Sequence, residues 1–528
     1  MKKIKGKIKF LFPVLLLVLA LSSCAQTPIP SSELPHEEIV APGVGEADDF
    51  EESDFNEEDY TPSSGLLFTL SSDKSYYVVS SVGSCKDKTV VIPSVYQGKP
   101  VKSVGARAFA RSSITEVVIP DSIEYISDRA FYGCRSLKTV VGGRGLKIVG
   151  EQSFASTSLT EFSVSKEMTK IHSTAFFDCY TIAAFKVSSA NSVFKAVDGN
   201  LYSKDGLVLL RYATGKEGST FIIPEGVRTI GTYAVAVNYR LWEINLPSTL
   251  EKIDNGAFYL CVGLGNITIP DGVKSIGDSA FLQCSALSTI TLGSSVKTVG
   301  SGAFSKCSSL NFVDMGDGVE KVGSYAFSEC YRLKRVIFSK NLVSIGACAF
   351  QYCMSLREVE LGEKTAQIGN YAFSDCHNLS DVKLFGAENI GYQAFYKCEN
   401  LKTVEFGSSL RTIAEYAFTH TAIEKLNLPE GLVSIGAGAF SGCEEITELV
   451  IPDSAKKIDT YAFCNCTSLE KLTLGKGLGE IGSSAFSGCN AISEIIFTAD
   501  SEAFAKISIA GYNSPLSGVN IKFTEETE

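Results

Sequence analysis

The chain has 528 residues, of which 45% are hydrophobic and 20% are charged, and its formal net charge is -11. This composition excludes a mainly disordered chain, a collagen-like chain and a membrane protein with many spans. Most of the charge lies near the N-terminus, and the near-neutral remainder gives no support for nucleic-acid binding, which needs a basic face.

Residues 1–24 have the organisation of an export signal. Five lysines precede an apolar run at 10–21, which leads into Ser22-Ser23-Cys24. Twelve apolar residues are too few for a helix that crosses a bilayer, which needs about 20 residues, so a removable secretory signal is predicted. The segment resembles a bacterial lipoprotein signal, and this resemblance predicts that Cys24 is acylated. The alternative is ordinary secretion, with Cys24 removed or left free.

Residues 25–64 differ from the rest of the chain in composition. They contain five prolines, and residues 25–60 carry twelve acidic side chains with no lysine or arginine. Low hydrophobicity and self-repulsion predict a disordered acidic tether. A tail that binds cations or a partner is the alternative.

From residue 101 a unit of 22 or 23 residues recurs, seen most plainly at 276–292. Repeats of this length predict a solenoid, in which each coil is stable only when stacked on its neighbours. A phenylalanine sets the register in fifteen of sixteen copies, and Val235 replaces it in the other. The sixteen positions are Phe109, Phe131, Phe154, Phe176, Val235, Phe258, Phe281, Phe304, Phe327, Phe350, Phe373, Phe395, Phe418, Phe440, Phe463 and Phe486.

Each coil divides into two parts with different periodicity. Residues 356–361 alternate apolar and polar side chains, as a half-buried strand does, and stacked copies should form a parallel sheet. In the other part, the Ile or Val, the Ala-Phe pair and the Cys have helical spacing over about two turns. The predicted fold is therefore an α/β repeat solenoid of about 16 coils, with a parallel β-sheet on one face and short helical turns on the other.

Sixteen cysteines in an exported chain would normally suggest disulfides. A straight row of thiols one coil apart suits neither disulfide geometry nor a tetrahedral metal site. We therefore predict buried thiols that pack as small hydrophobic groups, with no metal site. Twelve cysteines occupy one position, three residues after the register residue: Cys134, Cys179, Cys261, Cys284, Cys307, Cys330, Cys353, Cys376, Cys398, Cys443, Cys466 and Cys489.

The repeat resembles the BspA-like leucine-rich repeat family of bacterial surface proteins, whose unit is close to I-G-x-x-A-F-x-x-C-x-x-L-x-x-V-x-I-P. The resemblance covers about residues 75–497. It implies a cell-surface protein that mediates adhesion, without catalytic activity or a cofactor. Residues 65–100 resemble the approach to the first coil and are interpreted as an N-terminal cap, 101–497 as the solenoid, and 498–528 as a C-terminal cap.

The repeat register jumps by 59 residues between Phe176 and Val235, which places an insertion at about 188–219. Two Asp-Gly steps, at Asp198 and Asp205, lie among strand-like residues and predict β-hairpins. Such an insertion could modify the curvature of the solenoid or form a protrusion that contacts a ligand.

The exposed strand positions are the default binding surface of a solenoid. Phe312 and Ile337 are apolar at positions that should face water, and Arg335 flanks them, which is typical of a contact centre. Ordinary solvated strand residues are the alternative interpretation. The candidate binding residues are Phe312, Asp314, Arg335, Ile337, Glu358 and Glu360.

These patterns together predict a lipid-anchored cell-surface protein that binds or adheres to host or neighbouring-cell macromolecules. The partner would be a host or bacterial surface protein or glycan, and the membrane would be contacted through the lipid. An architectural envelope lipoprotein without a soluble ligand is the alternative. No pair or triad typical of an enzyme active site stands out among the four histidines and the acidic residues.

Overall fold

The computed structural model describes residues 49–50 and 55–525. The chain divides into two units, Met1–Val44 and Gly45–Glu528, and every described residue belongs to the second. The predicted signal with Cys24 and most of the predicted tether therefore lie outside the described residues. Within the described part, no helix is long and apolar enough to cross a membrane.

Each coil contributes one main strand, whose alternate side chains are buried. In Glu358–Leu361, for example, Val359 and Leu361 are buried and the two glutamates are exposed. The main strands pair in parallel and in register with those of the neighbouring coils, as the alternation predicts. They form four sheets. Two sheets have three strands each: the first contains Thr89–Val91, Glu116–Ile119 and Thr139–Gly142, and the second contains Glu161–Val164, Ala184–Ser188 and Asp49–Phe50. The 6-stranded sheet contains Thr220–Ile222, Glu243–Asn245, Asn266–Thr268, Thr289–Thr291, Phe312–Asp314 and Arg335–Ile337, and the 8-stranded sheet contains Glu358–Leu361, Asp381–Leu384, Thr403–Phe406, Lys425–Asn427, Glu448–Val450, Lys471–Leu474, Glu494–Phe497 and Ile521–Phe523.

A second strand, usually of two residues, contains the Ile or Val that precedes the glycine of the repeat. These short strands also pair in parallel from coil to coil. They form two sheets, and additional strands before the repeats and in the insertion, some of them antiparallel, join these sheets. The 7-stranded sheet consists of Leu67–Leu70, Tyr77–Ser81, Val95–Tyr96, Lys99–Val104, Tyr125–Ile126, Ile148–Val149 and Lys170–Ile171. The 16-stranded sheet consists of Phe194–Val197, Asn200–Ser203, Val208–Arg211, Thr229–Ile230, Lys252–Ile253, Ser275–Ile276, Thr298–Val299, Lys321–Val322, Ser344–Ile345, Gln367–Ile368, Asn389–Ile390, Thr412–Ile413, Ser434–Ile435, Lys457–Ile458, Glu480–Ile481 and Ser508–Ile509.

The predicted helical turns between the Ile and the Cys are wrong. Ser279 and Gln283 have left-handed φ angles of 54° and 60°, and a left-handed residue at every fourth position is incompatible with a continuous α-helix. The segment is a series of turns instead. Its backbone amides donate alternately to the next coil, as Phe281 does to the Ala303 carbonyl at 2.7 Å, and within the turn, as Leu282 does to the Ser279 carbonyl at 3.1 Å. The helices among the described residues are Glu57–Asp59 and Ser514–Leu516, both 3-10, and the α-helix Ser501–Phe504.

The register phenylalanines form the centre of the core. Their rings stack on those of the adjacent coils with centroid separations of 4.9 to 5.6 Å and interplanar angles of 14° or less. One stack runs from Phe109 to Phe176 and the other from Phe258 to Phe486, because Val235 separates them. Each ring inside a stack therefore depends on both neighbouring coils for its burial.

The conserved position of the cysteines within the repeat has a structural explanation. The twelve thiols are free and buried, as predicted, but they are also hydrogen-bond donors. Each Sγ donates to the carbonyl of the register residue one coil earlier, as Cys307 does to Phe281 at 3.2 Å. Burial raises the pKa of the Cys307 thiol to about 12, so the thiol stays protonated and can donate.

Three coils that lack the cysteine carry a hydroxyl at the same position: Ser112, Thr157 and Thr421. Thr157 Oγ1 donates to the Phe154 carbonyl at 2.8 Å, and Thr421 Oγ1 donates to the Phe418 carbonyl at 2.9 Å. These two threonines thus donate within their own coil, whereas each cysteine donates to the preceding coil. No group of three or more potential metal ligands occurs among the described side chains.

The insertion forms the predicted hairpins and extends the fold. Phe194–Val197 pairs with Asn200–Ser203, which pairs with Val208–Arg211, and both pairings are antiparallel. Val208–Arg211 then pairs in parallel with Thr229–Ile230 of the next coil. The insertion thus begins the 16-stranded sheet, and its strands contribute buried side chains to the core.

Arg211, at the end of this insertion, is buried between the two phenylalanine stacks. Its guanidinium donates to the carbonyls of Tyr233 at 2.7 Å and Phe176 at 2.8 Å, and its Nε lacks a partner. Desolvation lowers its pKa. The arginine supplies donors at the point where the repeating pattern of thiol and phenylalanine is interrupted.

Residues before the predicted tether boundary at 64 already contact the repeats. The Glu57 carboxylate accepts a hydrogen bond from the backbone of Asp121, and Ser63 exchanges two hydrogen bonds with Val91, at 3.0 and 3.1 Å. At the other end, residues 501–523 depart from the repeat, and Ile521–Phe523 extends the 8-stranded sheet. Terminal segments that differ from the repeat are expected at the ends of a solenoid.

Candidate binding surfaces

Six candidate residues lie on one face of three consecutive main strands. Phe312 is opposite Arg335, and Asp314 is opposite Ile337. Ile337 is 41% exposed and Phe312 is half-buried, so apolar surface is accessible to a partner at this point. We call this set the strand patch: Phe312, Asp314, Arg335, Ile337, Glu358 and Glu360.

The main-strand ladder is interrupted within the strand patch. The 6-stranded sheet ends at Arg335–Ile337, and the 8-stranded sheet begins one coil later at Glu358–Leu361. The change from one sheet to the other therefore falls between Ile337 and Glu358 of the strand patch.

The charges of the strand patch are arranged around its apolar centre. Arg335 Nε is 4.0 Å from a Glu358 carboxylate oxygen, and Lys383 Nζ is 3.3 Å from a Glu360 oxygen. Asp314 accepts a hydrogen bond from the Gly316 amide at 2.9 Å, which orients its carboxylate. Exposed pairs of this kind contribute little to stability, so these side chains are available for contacts with a partner.

A second surface, which the sequence did not reveal, lies over the short strands. It is an open groove of about 560 Å³ that crosses five coils, and no charged side chain lines it. We call it the short-strand groove. Its lining residues are Val322, Ser344, Ile345, Gly346, Gln367, Ile368, Gly369, Asn389, Ile390, Gly391, Thr412 and Ala414.

The polar side chains of the groove come from one register column. Ser344, Gln367, Asn389 and Thr412 each begin a short strand, and each is paired with the next in the parallel sheet. Thr412 donates to the side-chain oxygen of Asn389 at 2.6 Å, which orients that amide. Hydroxyl and amide groups therefore follow one another at intervals of about 4.8 Å.

The glycines on the groove floor are required by the fold. A Cβ on Gly369 would lie 2.6 Å from the backbone of Gly346, and a Cβ on Gly391 would lie 2.6 Å from that of Gly369. Close packing of successive coils excludes a side chain at these positions. The absence of side chains also leaves the groove open along its length.

Tyrosines follow the groove-lining residues in three successive coils. Tyr371 and Tyr392 have ring centroids 5.3 Å apart, and Tyr392 and Tyr416 have centroids 6.0 Å apart, both edge to face. All three are half-buried, so part of each ring is accessible. We call these three residues the tyrosine row.

The model of the BspA type leucine-rich repeat region matches residues 92–199, 214–334, 297–421 and 411–523. The chain belongs to the BspA-type leucine-rich repeat family. The matched segments cover most of the solenoid on both sides of the insertion, in agreement with the stacked coils described above.

Three solved structures that are similar to this chain come from bacteria. A leucine-rich repeat protein from Bacteroides ovatus is 20% identical over 88% of this chain and 99% of that chain, with a TM-score of 0.41. One from Eubacterium ventriosum is 21% identical over 72% and 93%, with a TM-score of 0.39. A leucine-rich cell surface protein from Faecalibacterium prausnitzii is 22% identical over 85% and 97%, with a TM-score of 0.30. A comparison with curated proteins finds no match.

Proposed function

We propose that the chain is an exported surface protein, held at the membrane by a lipid on Cys24, that binds a protein of the host or of neighbouring cells through the strand patch. Membership of the BspA-type family and the five-lysine, apolar, Cys-terminated N-terminus support the location. Acylation with more than one chain would give a stable anchor, whereas a single chain binds a membrane only marginally.

One observation carries the binding proposal: exposed Ile337 and half-buried Phe312 lie beside Arg335 on the same sheet face. Protein interfaces concentrate their binding energy in a few apolar, aromatic and arginine side chains with a polar rim. The carboxylates of Glu358 and Glu360 supply such a rim.

The test compares the purified full chain with a variant that carries Phe312→Ser, Arg335→Ser and Ile337→Ser. Both are titrated onto immobilised host matrix proteins, mucins, bacterial cell-wall material and a second sample of the chain itself. Replacing contact residues at the centre of an interface should cost more than 2 kcal/mol, which weakens binding by at least about tenfold.

The matched control carries Lys425→Ser, Asn427→Ser and Val450→Ser. These residues occupy the same exposed main-strand positions in later coils, and Val450 is 53% exposed. Saturable binding that only the strand-patch variant loses supports the proposal. Binding confined to cell-wall material or to the chain itself would support the architectural alternative, and equal loss in both variants would contradict a local site.

A further inference from the structure

We infer that the short-strand groove is a second binding site, which takes a neutral glycan chain. This inference goes beyond the proposed function, and it rests on other residues and another sheet. The chemistry of the lining, the distribution of charge, the tyrosine row and the shape of the groove floor each support it.

The lining offers the groups that recognise sugar hydroxyls. A side-chain amide presents two donors and an acceptor with two lone pairs, and a hydroxyl presents both functions. Gln367 is exposed, and its side chain makes no hydrogen bond to another described residue. The side-chain oxygen of Asn389 accepts a hydrogen bond from the Thr412 hydroxyl, so the amide NH2 group of Asn389 points away from Thr412. Uncharged donors and acceptors of this kind match polyols.

The charge pattern favours a neutral ligand. At the first position of the short strands, Lys321 lies one coil before the groove column and Lys457 lies two coils after it. The positions between the two lysines are uncharged: Ser344, Gln367, Asn389 and Thr412 in the groove, and then Ser434. A polyanion such as a nucleic acid or a sulfated glycan would be expected to require basic side chains along its path. The groove lies within a run of five uncharged positions between Lys321 and Lys457.

The tyrosine row supplies flat apolar faces next to these polar groups. Aromatic rings with a hydroxyl at one end suit ligands that are apolar on one side and hydrated on the other, as the faces of pyranose rings are. In the sequence, Tyr392 directly follows the lining residue Gly391, and Tyr371 and Tyr416 each follow a lining residue by two positions.

The floor disfavours a peptide ligand. Ile345, Ile368 and Ile390 are at most 3% exposed, so the groove has no accessible apolar pocket for the side-chain anchors on which peptide recognition depends. Its five coils provide a repeating surface of roughly 20 Å, at about 4.8 Å per coil. A chain of similar sugar units can make equivalent contacts at successive coils.

The experiment measures binding of the full chain to immobilised neutral oligosaccharides (glucans, mannans, galactans and chitin fragments), beside sialylated and sulfated glycans. One variant carries Gln367→Ala and Asn389→Ala, and a second carries Tyr392→Ala. The matched control carries Ser275→Ala and Thr298→Ala, which change the same register column outside the groove. Thermal unfolding of every variant checks that the solenoid is intact.

We expect saturable binding to at least one neutral oligosaccharide, weakened tenfold or more in both groove variants and unchanged in the control. A third variant, with Gln367→Glu and Asn389→Asp, keeps the side-chain shape and should also lose the neutral ligand. The inference is overturned if no neutral glycan binds, if only charged glycans bind, or if the groove variants bind as the control does. Because the strand-patch residues are intact in these proteins, either site can fail without the other.

Discussion

Replacing Phe304 by Ala tests whether the stacked rings hold the coils together. The ring is fully buried and stacks on Phe281 at 5.0 Å and on Phe327 at 5.2 Å. A buried Phe→Ala change costs about 3–5 kcal/mol, and the loss of two ring contacts, each about 0.5–1.5 kcal/mol, places this one toward the upper end. Phe486 is the matched comparison, since its ring stacks on that of a single coil, through Phe463 at 5.5 Å.

Urea unfolding of the full chain, followed by circular dichroism and by tyrosine fluorescence, measures both variants. We expect Phe304→Ala to lower the unfolding midpoint more than Phe486→Ala, because a central defect weakens two interfaces between coils. A split of the transition into two steps would locate the weakened interface. A loss of less than about 1 kcal/mol, or a larger loss at Phe486, would refute the argument.

Three further predictions concern single features. Because burial raises the pKa of Cys307 to about 12, folding favours the protonated thiol. The contribution of this thiol to the free energy of unfolding is complete below the ordinary pKa of about 9 and is lost as the pH rises from 9 towards 12. Urea titrations across that range should show falling stability, and a pH-independent midpoint would contradict this. Replacing Arg211 by Met leaves the buried Phe176 carbonyl without its donor, at about 1–3 kcal/mol, whereas the Tyr233 carbonyl keeps the Ala236 amide at 3.2 Å; a midpoint equal to that of the unmodified chain would count against the bridging role. Replacing Cys24 by Ala should move the protein from the membrane fraction to the soluble fraction of its native host, and continued membrane association would exclude the lipid anchor.

The strand half of each coil could be predicted because its alternation has one structural meaning. In Glu358–Leu361 the buried and exposed side chains alternate as the sequence predicts. The segment from Ile276 to Cys284 could not, since its apolar spacing suits both a helix and a series of turns. Left-handed residues at Ser279 and Gln283 decide between them, and neither is a glycine that would have signalled this conformation.

The short-strand groove was missed for the same reason. A segment interpreted as helical gives no cause to consider Gln367 and Asn389 as neighbours, although the parallel pairing of their strands places them side by side. The signal present in the sequence was the run of uncharged residues at the first position of the short strands, between Lys321 and Lys457. The two carbonyl contacts of Arg211 had no sequence signal, because they depend on how the insertion rejoins the array.

The most direct test of the binding account measures four full-length proteins side by side: the unmodified chain, the strand-patch variant, its main-strand control and the Gln367→Ala/Asn389→Ala variant. Each is titrated against the matrix protein that the unmodified chain binds. The account predicts that the strand-patch variant alone loses affinity, by at least about tenfold. Equal affinity of all four proteins, or no saturable binding of the unmodified chain to any protein tested, would contradict it.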